Sequence, residues 1–246
     1  MKKNLKKFLT ATNIIIIILI VIYFLDRFIP FPEGYEGYDA WEENNYPVLN
    51  YIFGFCGGFL TNFMGFGRIL TPDGEAFYRR LTCVFLHGHI LHLIANVVGL
   101  YFIGNYAEKR FGWLTSYIVF FTVAFIESYI TDPLFFAIAP DKKEETLSQV
   151  SMGASGGIFG LAGFTLAAIF FDIKSFRNIG KPTIIVSAIY GFLTTYVVGL
   201  GWTTVCHNVS IVLGLVLGTL IILPFFLLKK GKFSIRNTET ENENTE

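Results

Sequence analysis

Uncharged runs, each about as long as a membrane is thick and separated by short charged segments, set the pattern of this chain. Phe8–Leu25 carries no charge over 18 residues and holds five successive isoleucines, Ile14 to Ile18. Later runs extend from Leu81 to Ala107, from Phe111 to Thr131 with Glu127 inside it, and from Thr146 to Phe171. From Pro182 to Leu228 there is no Asp, Glu, Lys or Arg in 47 residues, more than twice the ~20 residues of one helical crossing. Gly199-Leu200-Gly201 divides that run into helices near 182–198 and 205–228. The pattern predicts an all-α, polytopic membrane protein of six transmembrane helices.

Two segments compete with this reading. Lys2, Lys3, Lys6 and Lys7 precede the first run as they would in a secretory signal. The run is long for such a signal, however, and Asp26-Arg27-Phe28-Ile29-Pro30 is a poor small-residue cleavage site, so a retained helix is expected. Tyr46–Gly67 is uncharged for 22 residues but holds Gly54, Gly57, Gly58, Gly65 and Gly67, each costing a helix about 1 kcal/mol relative to Ala. Charge placement decides against a seventh span. With six spans and an inside N-terminus, 13 of the 19 basic residues fall inside: Lys2, Lys3, Lys6, Lys7, Lys109, Arg110, Lys174, Arg177, Lys181, Lys229, Lys230, Lys232 and Arg236. A seventh span would put the two terminal lysine clusters on opposite sides. The expected organisation is a cytoplasmic N-terminus (1–7), a membrane domain (8–230) and a cytoplasmic tail (231–246). The outer loop 26–80 lies partly in the interface. From Asn237 the tail is Asn, Thr and Glu only and is expected to be disordered. The same charge asymmetry turns the site toward the outer side, and the membrane expected is the cell membrane.

Composition sharpens the picture. Apolar residues make up 53% of the 246 and charged ones 15%, against about 25% charged in soluble domains. A net charge of zero argues against a nucleic-acid partner, which draws on a basic surplus. Cys56, Cys83 and Cys206 have no metal-type spacing and imply no disulfide framework.

Candidate chemistry gathers at the outer ends of the spans. His92 and Asn96, four apart, share a face of the second helix. The fourth reads Gly153-Ala154-Ser155-Gly156-Gly157-Ile158-Phe159-Gly160, and the sixth opens Cys206-His207-Asn208 with Ser210, Gly214 and Gly218 behind. The second, fourth and sixth spans run in the same direction, so His92, Ser155 and His207 reach one depth, within two or three turns of the outer side. A serine hydroxyl needs an adjacent base, and His207 is the histidine at that depth not beside Asn96. Small residues around Ser155 and at 210, 214 and 218 let two helices approach closely enough for a Ser–His hydrogen bond. Phe159 is placed to pack under the His207 ring. His92 and Asn96 remain as donors for a developing oxyanion, with the Ser155 N–H. Glu127 reads as a buried, hydrogen-bonded structural acid, which leaves a Ser155–His207 dyad. No metal or other cofactor is called for. The competing readings are a histidine-based metal site at His87, His89, His92 and His207, although His-Glu-x-x-His is absent, and a client-binding protein without catalysis.

These motifs resemble those of the rhomboid intramembrane serine proteases. Gly153-Ala154-Ser155-Gly156 matches the family's nucleophile motif and Phe159-Gly160 continues it; His87-x4-His92-x3-Asn96 resembles its second-helix signature. Tyr78-Arg79 stands where the family has Trp-Arg, and Tyr106-Ala107-Glu108-Lys109-Arg110-Phe111-Gly112 looks like its inner turn. The resemblance implies a six-helix bundle that cleaves single-span transmembrane proteins within the lipid bilayer. It also implies supporting roles for Arg79, Gly153, Gly156 and Phe159, and a scissile bond that follows a small residue. Where the family has two glycines shortly after the catalytic histidine, this chain has Val209 and Ser210, which implies a looser fit there.

Overall fold

The computed structural model of the chain describes residues 10–28, 66–67, 79–143, 146, 150–171 and 201–228. The expected fifth span near 182–198, the loop 46–65, both terminal segments and the Arg79 side chain lie outside the described residues. What is described is helical apart from one two-residue pairing: α1 (Ala11–Phe28), α2 (Ile90–Phe111), α3 (Trp113–Ile138), α4 (Ser155–Phe171) and α5 (Trp202–Leu228). Of these, α2, α3 and α5 (through Pro224) are long and apolar enough to cross a membrane, while α1 and α4 are shorter apolar helices. β1 (Phe66–Gly67) pairs antiparallel with β2 (Val150–Ser151), so the end of the glycine-rich loop is tied to the segment entering α4.

Helix α1 is fixed by its first turn. The carboxylate of Glu108, near the end of α2, accepts from the backbone N–H groups of Ala11 and Thr12 at 3.0 and 2.8 Å and from the Thr12 hydroxyl at 2.7 Å. An acid at a helix N-terminus satisfies donors that have no intrahelical partner and complements the helix dipole. Tyr117, in the first turns of α3, donates to the Thr12 hydroxyl at 2.7 Å. The start of α1, the end of α2 and the start of α3 therefore share one end of the bundle, and α2 runs antiparallel to both neighbours. Gly112, at φ +84°, makes the reversal between α2 and α3.

The interior is apolar: Leu100, Phe120, Val123, Ile158, Leu161 and Phe164 are buried. Outward, Leu91, Ile94, Val98 and Tyr101 form an exposed stripe along α2 at the three- and four-residue spacing of one helix face. In water such a stripe would be costly; against lipid it is the ordinary surface of a spanning helix.

Two expected boundaries are corrected. The second span begins at Ile90, not 81: Arg79–Thr82 is a single helical turn, Cys83–Phe85 a 3-10 turn, and the chain is extended at His89 before the helix starts. The fourth begins at Ser155, not 146, because Val150–Ser151 is drawn into a strand and Gly153 takes φ +112°. Apolar content marks which residues avoid water, and it is silent on where the helical dihedrals begin.

Candidate functional site

Each candidate residue owes its place to a helix start. Ser155 is the first residue of α4, with Ala154 accepting the first intrahelical bond, from the Ile158 N–H at 3.1 Å. The N–H groups of the opening turn have no carbonyl of their own helix to reach, so they gather beside the serine hydroxyl. At α2, His89 is the N-cap: its Nδ1 accepts from the His92 N–H at 3.1 Å. A span running from Leu81 would have put His89 inside the helix; it stands at the start instead. The cap also occupies one nitrogen that a metal site would need.

Gly153 joins α2 to the serine loop. Its N–H donates to the Cys83 carbonyl at 3.0 Å. A Cβ there would stand 2.7 Å from Cε1 and Nε2 of His92 and 3.5 Å from Nδ2 of Asn96. Glycine is required twice over, for its positive φ and for the space the His92 ring takes. Asn96 is buried and donates to the His92 carbonyl at 3.2 Å. Two residues before Ser155, the chain therefore touches both candidate oxyanion donors.

On the other side of Ser155, Phe159 lies one turn along α4. Its ring stacks on the imidazole of His207, with centroids 4.2 Å apart and planes 27° from parallel. His207 is buried in the second turn of α5. The contact expected between these two rings is present, and it brings the second turn of α4 against the second turn of α5.

Glycine makes that approach possible. A Cβ on Gly214 would fall 2.0 Å from the Gly160 carbonyl oxygen, and one on Gly163 would fall 2.1 Å from that of Ile211. Along the same seam a Cβ on Gly218 would meet the Ala167 Cβ at 2.6 Å. Ser210 is fully buried and turns its hydroxyl back to the Cys206 carbonyl at 2.9 Å, so it fits the seam in place of a glycine. Facing α3, Gly157 and Gly160 leave room for Phe120 and Val123. The helices are in backbone contact, as small-residue membrane packing demands.

Three features were not anticipated. Arg80, next to the expected Arg79, is buried, donates to the Ser128 hydroxyl at 2.5 Å and lies 3.8 Å over the Tyr129 ring. Sequence alone does not say that Arg80 turns inward, since a single short turn has no periodicity to mark a buried face. Trp202, at the start of α5, donates its indole N–H to Asp132 at 2.7 Å. His87 is almost fully buried just before α2, its ring edge-on to His92 at 5.0 Å. Burial, with the charge of His92 next, holds the His87 imidazole well below its ordinary pKa of 6.5. An extended segment outside a helix left no periodicity to reveal that burial.

A family model described as the rhomboid domain matches residues 74–227, well over half of the 246-residue chain. RHOMBOID-like protein 4 of Arabidopsis thaliana is 34% identical over 105 residues, covering 43% of this chain and 24% of that protein. RHOMBOID-like protein 5 is 32% identical over 111 residues (45% and 33%), and RHOMBOID-like protein 7 is 30% identical over 114 (46% and 33%). The match spans a quarter to a third of the length of these curated relatives. With a matched domain of that extent and its long apolar helices, the chain belongs to the rhomboid family and is a multi-pass integral membrane protein.

Proposed function

We propose that this protein is an intramembrane serine protease that hydrolyses peptide bonds in or near the transmembrane helices of single-span membrane proteins, with Ser155 as nucleophile and His207 as its base. The stacking of His207 on Phe159, one turn from Ser155, is the observation that carries the reading. It supports an imidazole held rigidly at the mouth of α4, where a serine would otherwise be a weak nucleophile.

In this mechanism His207 accepts the Ser155 proton as the oxygen attacks the scissile carbonyl. The tetrahedral oxyanion forms beside the first turn of α4. Its donors are the Ser155 N–H, Asn96 and His92, and the positive end of the helix dipole adds to them. His207 returns the proton to the leaving amine, and a water molecule, activated by the same imidazole, then releases the acyl group from Ser155. Donors aimed at the developing charge raise kcat rather than affinity. Arg79, Gly153, Gly156 and Phe159 act in support, without touching the reacting bond. Substrates are helices whose outer end carries Gly, Pro or polar residues, because a peptide bond within a stable helix is shielded, and the bond cut follows a small residue. No cofactor takes part.

The proposed frame has six spans, both termini cytoplasmic and the site opening to the outer side of the cell membrane. A panel of single-span membrane proteins incubated with the purified protein in detergent tests the activity. Wild type is expected to cut at one juxtamembrane position, and Ser155→Ala and His207→Ala to abolish the cut while remaining folded. Cleavage that survives either substitution, or that a chelator abolishes and zinc restores, overturns the reading.

A further inference from the structure

The proposed mechanism makes no use of a carboxyl group that lies beside the residue next to Ser155 and the residue next to His207. Glu127, in the middle of α3, is buried within a membrane-spanning helix, where an acid is costly and calls for a reason. Its Oε2 accepts from the Thr131 hydroxyl, one turn along α3, at 3.0 Å and from the Cys206 thiol, on α5, at 3.1 Å. Cys206 is itself buried and immediately precedes His207. On the α4 side, a Cβ at Gly156, the residue after Ser155, would lie 3.5 Å from Glu127 Cγ and 3.6 Å from its Oε1. One side chain therefore accepts from the neighbour of the base and occupies the space beside the neighbour of the nucleophile.

We propose that Glu127 is a positioning residue for the Ser155–His207 pair, acting through Cys206 on α5 and Gly156 on α4; the proposal rests on the protease reading. Successive side chains on a helix diverge by about 100°. Holding Cys206 toward α3 therefore sets the rotation of α5, and with it the direction of His207, which points to Phe159 and α4. A thiol is a weak donor, and an apolar contact in its place would have less directional preference. A side-chain amide keeps an oxygen that accepts from Thr131 and Cys206, so the positioning role requires the acceptor and not the charge.

The test measures the rate at which a serine-directed fluorophosphonate labels the folded protein, together with kcat and KM for a single-span substrate and the melting temperature. Glu127→Ala is expected to slow labelling and lower kcat about tenfold or more with KM within about twofold, two supporting contacts being lost where one misplaced group costs up to 10²-fold. Glu127→Gln is expected to stay within about threefold of wild type, since its amide oxygen replaces the acceptor. Cys206→Ala should slow labelling in the same direction, and Glu127→Ala/Cys206→Ala no further than Glu127→Ala alone, because the two act through one contact. A Glu127→Ala protein that melts earlier but labels at the wild-type rate makes the residue merely structural and overturns the proposal. So does a Glu127→Gln protein as slow as Glu127→Ala. A wild-type protein that neither labels nor cleaves refutes the protease reading instead.

Discussion

At the scale of single residues, position around Ser155 is set by what cannot be added as much as by what is present. Gly153→Ala would place a methyl 2.7 Å from the His92 ring on a backbone at φ +112°. A side chain held in such a region costs about 1–3 kcal/mol, and the ring must also move. Gly153→Ala is expected to lower the melting temperature and to reduce cleavage by more than the loss of folded protein accounts for, as unfolding and activity curves on one sample will show. His87 gives a pH dependence of known sign. Its folded pKa lies below 6.5, so the unfolded chain binds a proton that the folded one refuses. The stability it contributes is whole above pH 6.5 and is lost progressively as the pH falls from there toward the folded pKa. Wild type should therefore melt earlier on acidification below that point, and His87→Leu should flatten the slope of melting temperature against pH; an unchanged slope would contradict the burial of a neutral imidazole.

At the scale of elements, the seam between α4 and α5 decides whether Ser155 and His207 meet. Gly163→Ala drives a methyl into the Ile211 carbonyl at 2.1 Å, backbone against backbone, where no rotamer offers relief. Overpacking of this kind costs about 1–3 kcal/mol, and separation of the helices is expected to abolish cleavage even where the protein still folds. Gly112→Ala, where nothing lies within 4 Å of the added methyl, pays for its positive φ alone and is the control that should keep activity per folded molecule. Much of this architecture was legible from the chain, because charge-free runs and the small-residue spacing at 210, 214 and 218 are local patterns with a direct physical cause. Helix starts were not. Residues 83–89 and 150–154 are uncharged like the runs they lead into, yet a 3-10 turn, a strand and the capping of α2 by His89 hold them outside α2 and α4. The acid in α3 was visible as a buried structural group, but its thiol partner sits 79 residues away and no spacing announces it.

At the scale of the whole molecule, the helix starts that carry His92, Ser155 and His207 converge at one end of the bundle, while Glu108 binds the start of α1 at the other. Polar groups gathered at one end of an otherwise apolar body suit the proposed chemistry, which is done away from bulk water. The proposed orientation predicts that a cysteine placed at Asp141 reacts with an impermeant reagent from outside while tags on both termini stay protected; termini on opposite sides would contradict the six-span frame. Whether Ser155 is a nucleophile activated by His207 is read out by fluorophosphonate labelling of the purified protein with the adduct mapped by mass spectrometry. One adduct is expected, on Ser155, and it should disappear in His207→Ala although the serine remains and the protein stays folded. An adduct elsewhere, or labelling of Ser155 that persists at the wild-type rate without His207, would contradict that activation.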